Sequence, residues 1–224
     1  MIQMLSAHLV PVRQWSARVW VLVSMTVVAL VCAVPFGRSV AVDPGFDASE
    51  LRIISEFQQA AHGFHVLSAA FGQVFSPPVV VCALLLMLGI IQWGYHDWGE
   101  TLRGMVMVLL PLLAVLVIKI LVDRPRPATA LGSLVKDPSF PSGHTAGAVC
   151  LSVVILFAIR LHKGRMTVQA EHRWIYMLAY VLLAVIPVCT AMTRLVLGVH
   201  YPSDVIASLV LCPLISGSIY AITR

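Results

Sequence analysis

Six runs of apolar residues, each near the length of a bilayer crossing, set the terms on which this chain can fold. They lie at about Val19–Phe36, Pro78–Ile91, Met105–Val122, Ala146–Leu161, Trp174–Met192 and Val205–Ile222. Hydrocarbon offers no hydrogen bonds to bare backbone, so a lone segment that crosses it must satisfy its own peptide groups, as an α-helix does. The pattern predicts an all-α membrane protein with six transmembrane helices. The second and fourth runs are short and are expected to extend into their polar flanks. Of the 224 residues, 59% are hydrophobic and only 11% charged, and the mean hydropathy is +0.92. That is too little charge to cover a soluble surface. The length suits one domain, so a single integral-membrane domain is expected over residues 1–224, with a motif-bearing core at about 105–222.

The first run carries two marks of a signal peptide, a basic flank (Arg13, Arg18) and a small-x-small site at Ser39-Val40-Ala41. It is longer than a signal core of about 7–15 residues, and a retained first helix is the expected reading. The net charge of +5 would suggest nucleic acid in a soluble protein. Here the basic residues sit mostly in short loops, where they orient the chain in a membrane, and no nucleic-acid partner is expected. The five cysteines (Cys32, Cys82, Cys150, Cys189, Cys212) each lie in an apolar run, outside any CxxC or Cys/His cluster. They read as packing residues rather than as disulfide partners or metal ligands.

Six spans place both termini on one side. That side holds Arg13, Arg18, Arg103, Arg160, Lys163, Arg165, Arg173 and Arg224; the other holds Arg38, Arg52, Lys119, Arg124, Arg126, Lys136 and Arg194. Once Lys119, Arg126 and Arg194 are assigned to a site, the balance puts the termini in the cytoplasm and the polar motifs outside. Between the first two spans runs a long loop, Gly37 to Pro77. Its second half places Leu51, Ile54, Phe57, Ala61, Phe64, Leu67 and Phe71 near one helical face. This predicts an extracytoplasmic interfacial helix, either packed on the bundle or forming a wall of a lipid entrance.

Three polar clusters stand at the outer ends of helices. In "KILVDRPRP", Lys119 ends the third span and Arg126 lies between Pro125 and Pro127, which restrict the turn. A guanidinium held this way suits phosphate oxygens. Arg124 is expected to face headgroups, with a share in phosphate binding as the alternative. In "FPSGHTAG", Pro141 and Ser142 read as a helix start, and Gly143 lets a ligand approach the backbone. The unpaired N–H groups of such a helix start favour an anion. His144 then stands in the first turn, able to protonate a leaving oxygen. In "TRLVLGVHYPSD", Arg194 adds a third cation, and Asp204 follows His200 by four residues. A carboxylate there can fix the tautomer of His200 and leave its other nitrogen nucleophilic; a capping Asp beside an interfacial His is the alternative. His200 is expected at the outer rim rather than in a packed core.

These clusters resemble the type 2 phosphatidic acid phosphatase superfamily. Lys119 to Pro127 fits its Lys, six residues, Arg-Pro pattern. Pro141 to His144 fits Pro-Ser-Gly-His. Thr193 to Asp204 fits Ser-Arg, five residues, His, three residues, Asp, with Thr193 in place of Ser. The resemblance implies a phosphatase without cofactor or metal. In it His200 attacks phosphorus to form a phosphohistidine, Asp204 orients His200 and His144 protonates the leaving oxygen. Lys119, Arg126, Arg194, the Ser142 hydroxyl and the Gly143 N–H hold the phosphoryl oxygens. The membrane setting implies a lipid phosphate or diphosphate as the partner. Undecaprenyl diphosphate is the first expectation, at a bacterial plasma membrane. Phosphatidic acid and phosphatidylglycerophosphate are the alternatives. A non-hydrolytic lipid-phosphate binding or transport protein is the rival from another class, but it has no need of two histidines and their carboxylate.

Overall fold

A computed structural model of the chain describes residues 11–129, 137–165 and 173–223. Lys136 and Arg224, counted above for orientation, lie outside them, as does most of the loop joining the fourth and fifth spans. Eight α-helices occur among the described residues: α1 (Ala17–Val42), α2 (Pro44–Ala60), α3 (His65–Val74), α4 (Pro77–Tyr95), α5 (Trp98–Val122), α6 (Gly143–Arg165), α7 (Arg173–Val196) and α8 (Pro202–Ile222). Six of them, α1 and α4 to α8, are long and apolar enough to cross a membrane. The second and fourth spans do extend into their polar flanks. The Ser39-Val40-Ala41 site lies inside α1.

Local chemistry sets the helix limits. Asp43 caps α2 by accepting from the N–H groups of Gly45 and Phe46, and Asp97 does the same for Gly99 and Glu100 at the start of α5. Proline opens α2, α4 and α8, where a missing N–H costs nothing. At its other end α5 stops on Asp123, whose left-handed φ of 51° turns the chain into Pro125-Arg126-Pro127.

The most buried span is α6, which packs against α4, α5, α7 and α8. Its Ala146, Ala148, Cys150 and Val154 are wholly buried, and small residues there let neighbouring backbones approach. Hydroxyls tie the bundle together: Thr26 of α1 bonds Ser218 of α8 at 2.8 Å, and Ser216 of α8 donates to the Met107 carbonyl of α5. Large apolar side chains such as Val31, Leu85, Leu86 and Ile120 face outward on the spans, where lipid solvates them. The five cysteines are all free.

The single interfacial helix expected from the loop is two helices. A 3-10 turn at His62–Phe64 separates α2 from α3. The apolar stripe is therefore not continuous: Ile54 is buried, whereas Phe64 and Leu67 are exposed. Gly63 beside His62 gives this stretch low helix propensity, and the break lets each piece pack separately, α2 on α7 and α8, α3 on α7.

Candidate active site

The spans alternate in direction, so the end of α5, the start of α6, the end of α7 and the start of α8 meet at one end of the bundle. There they enclose a cavity of about 640 Å³ lined by Lys119, Arg126, Asp137, Gly143, His144, Arg194 and His200. Its opposite wall is apolar: Val80 and Val81 from α4, and Leu112, Val115 and Leu116 from α5. Ala69, Gly72 and Gln73 of α3 complete it. Within the loop, α2 packs on the bundle and α3 walls the cavity.

His200 is 1% exposed, so it does not stand at an open rim; it is reached through the cavity. Its Nδ1 lies 3.4 Å from Asp204 Oδ2, and its Nε2 lies 3.3 Å from Arg126 Nη1. The same Asp204 oxygen accepts the Tyr201 N–H at 2.9 Å. Asp204 therefore caps α8 and backs the imidazole at once, so the two readings of this residue are compatible. Burial holds the His200 pKa below its ordinary value, against the hydrogen bond and charge of Asp204. The ring is neutral at pH 7, with one nitrogen available as a base or nucleophile. Gly198 makes the preceding turn possible. Its φ is 63°, and a Cβ there would run into the Thr129 carbonyl.

Arg126 donates to the carbonyls of Val199 and Asp137 and pairs with the Asp137 carboxylate at 2.8 Å. Lys119 pairs with the same carboxylate at 2.8 Å and also donates to the Pro138 carbonyl. Burial works to raise the Asp137 pKa, but the hydrogen bonds and charges of Lys119 and Arg126 outweigh it and hold the group below its usual range. Arg194 is 4% exposed and donates to the Ser68 carbonyl of α3 and to the Thr193 hydroxyl. Gly72 of α3 lies against its guanidinium with no room for a Cβ. At the start of α6, a Cβ on Gly143 would meet nothing within 4 Å, so open space lies beside it. Ser142 is fully buried, outside the cavity lining, and its hydroxyl accepts from Thr145. His144 lines the cavity without a hydrogen bond to any described residue.

The expectation for Arg124 is overturned. It is 0% exposed and faces no headgroup. Its Nη2 pairs with Asp47 at 2.6 Å and Glu50 at 2.8 Å, its Nη1 pairs with Asp204 at 3.0 Å, and it stacks on Tyr201 at 3.7 Å. Three carboxylates offset the cost of burying the guanidinium. Burial opposes its charge, but Glu50, Asp47 and Asp204 outweigh that and hold its pKa above the ordinary value. Sequence reasoning missed Glu50, Asp47, Asp137 and Gly72. Only Glu50 left a signal, as an acid four residues before Ile54 on an otherwise apolar face. Among the described residues no group of three or more His, Cys, Asp or Glu side chains is arranged to hold a metal ion.

The motif cluster has a counterpart in known sequences. Residues 100–224, more than half of the chain, match the PAP2 superfamily. The chain belongs to the PAP2 superfamily. It is 31% identical over 126 residues to phosphatidylglycerophosphatase B of Bacillus subtilis (strain 168), a stretch covering 55% of this chain and 59% of that protein. The match thus spans less than two thirds of the relative's length. The fold also resembles two solved structures. The PAP2 type phosphatidylglycerolphosphate phosphatase of Bacillus subtilis has a TM-score of 0.71 at 18% identity, over 86% of this chain and 93% of that one. Aquifex aeolicus LpxE has a TM-score of 0.56 at 19% identity, over 76% and 93%. These two likenesses speak to the arrangement of PAP2 helices alone.

Proposed function

We propose that this PAP2 protein is an integral-membrane lipid phosphatase that hydrolyses a phosphate or diphosphate ester through a phosphohistidine. The observation that carries the reading is the setting of His200. One ring nitrogen is backed by Asp204, and the other stands beside Arg126 in a cavity that is cationic at one end and apolar at the other. Leu116 and Val81 line the cavity and are also about half exposed on the outer surface. An acyl or prenyl chain is assigned to these apolar side chains of α4 and α5, with its phosphate at the cations.

The Nε2 lone pair attacks phosphorus and the bond to the leaving oxygen breaks. His144 gives that oxygen its proton, and Asp204 holds the proton on Nδ1 as the ring becomes cationic. Lys119, Arg126, Arg194 and the Gly143 N–H stabilise the charge on the equatorial oxygens; the Ser142 hydroxyl, expected to join them, is buried outside the cavity lining and accepts from Thr145 in the first turn of α6. Water then attacks phosphorus, His144 takes its proton, and the P–N bond breaks to release inorganic phosphate. The site needs no bound metal for this electrostatic work.

Two substrates are proposed. Undecaprenyl diphosphate follows from the family resemblance. Phosphatidylglycerophosphate is favoured by the likeness to phosphatidylglycerophosphatase B. The deciding experiment is phosphate release by the purified protein from both, with phosphatidic acid included. Release from none of them, alongside tight lipid-phosphate binding, would favour a binding or transport protein. The active site is assigned to the outer face of a bacterial plasma membrane, with cytoplasmic termini, on the charge balance of the loops.

A further inference from the structure

Asp204 is not the last member of the chain of contacts behind His200. Its Oδ2 serves His200 and the Tyr201 N–H, while its Oδ1 is taken by Arg124 at 3.0 Å. A guanidinium bound to Asp204 alone would neutralise it and draw its charge away from the imidazole. Arg124 is not bound to Asp204 alone. Glu50 and Asp47 of α2 claim its other terminal nitrogen. Glu50 also reaches α8 directly: it accepts from the Ser203 N–H at 2.6 Å and from the Ser203 hydroxyl at 3.0 Å, and that hydroxyl accepts from Arg124. The Ser203 N–H is one of the unpaired donors of the first turn of α8, the turn that carries Asp204. Glu50 is 4% exposed and Asp204 0%, so water screens little of this network.

We propose that Glu50, acting through Arg124, is a positioning residue for the His200–Asp204 pair. It shares the guanidinium so that Asp204 keeps its charge for His200, and it fixes the turn on which Asp204 stands. As His200 takes phosphorus its ring becomes cationic, and the acidic surplus of Glu50, Asp47 and Asp204 over Arg124 stabilises that ring. Glu50 lies outside residues 100–224 that match the family, so α2 supplies a part of the site the motifs do not describe. This rests on the proposed phosphohistidine mechanism.

The test is Glu50→Gln, nearly isosteric and still able to accept from the Ser203 N–H, with Asp47→Asn as a milder variant. His200→Ala and Asp204→Asn are assayed in parallel. In Glu50→Gln, kcat falls about 10- to 100-fold, as for outer hydrogen-bond partners elsewhere, while KM holds. Asp47→Asn shows a smaller loss of the same kind. Adding Glu50→Gln to Asp204→Asn costs much less than Glu50→Gln does alone, because most of the effect runs through Asp204. Normal kcat in Glu50→Gln beside an inactive His200→Ala overturns this proposal and leaves the mechanism standing. An active His200→Ala overturns the mechanism itself. A rise in KM with kcat unchanged, or a Glu50→Gln protein that fails to fold beside a fully active Asp47→Asn, makes Glu50 a folding residue only and also overturns the proposal.

Discussion

The Asp137 carboxylate lies 2.8 Å from the Lys119 ammonium, a cation that the proposed chemistry assigns to a phosphoryl oxygen. Its other oxygen is 2.8 Å from Arg126. A substrate phosphate must take both cations from it. Asp137→Asn is therefore expected to tighten vanadate inhibition about tenfold, which is about 1.4 kcal/mol. Lys119 and Arg126 hold the Asp137 pKa below its usual range, so the group stays ionised and the gain holds across about pH 5 to 8. Weaker vanadate binding in Asp137→Asn would show that the carboxylate instead helps to arrange the cations.

Removing a cation acts in the opposite direction. Lys119→Ala, Arg126→Ala and Arg194→Ala should each weaken vanadate binding and turnover. Charge-assisted hydrogen bonds of about 1.5–3 kcal/mol correspond to roughly 10- to 100-fold per residue. The wild-type activity should persist in excess EDTA, measured as phosphate release; a requirement for added Mg²⁺ would point to different chemistry.

His200→Ala should abolish phosphate release and the labelled phosphoenzyme. Asp204→Asn should cost several orders of magnitude, since the imidazole loses its fixed tautomer. Because His200 is buried, each variant is checked for monodisperse elution in detergent. Turnover near the wild-type rate in a folded His200→Ala would refute the nucleophile.

Gly72→Ala tests the contact between α3 and Arg194. The methyl group has no space against the guanidinium, so either Arg194 or α3 must shift. KM should rise severalfold and vanadate binding weaken, with the fold retained. An unchanged KM would mean that Arg194 relaxes without cost.

Arg52 is exposed on α2, and Lys163 lies at the far end of α6. In a cysteine-free background, an impermeant thiol reagent on intact cells should label Arg52→Cys and spare Lys163→Cys. The reverse pattern would invert the assigned orientation.

The six spans were legible because hydrocarbon leaves a crossing segment little choice but a long apolar helix, and such runs are plain in the sequence. Lys119, Gly143, His144, Arg194 and His200 stand at or near span ends and Arg126 just beyond one, so antiparallel packing suffices to bring them into one cavity. Arg124 was misread for the complementary reason. Its partners Asp47 and Glu50 lie about 75 residues away on α2, and no local pattern links them. The break at His62–Phe64 was hidden because the helical spacing of apolar residues in the sequence continues across it, although the folded backbone does not.

A cavity cationic at one end and walled at the other by side chains that also face the bilayer has a kinetic consequence. If the protein hydrolyses lipid phosphates as proposed, it meets its substrate in two dimensions. Its rate is set by the mole fraction of lipid phosphate among the surrounding lipids and only weakly by bulk molarity. Diluting the substrate with inert lipid, at fixed amounts of enzyme and substrate, slows it. The two products part company: the dephosphorylated lipid diffuses back into the leaflet, while inorganic phosphate leaves to water, so accumulated lipid product competes for the apolar wall long after phosphate has dispersed.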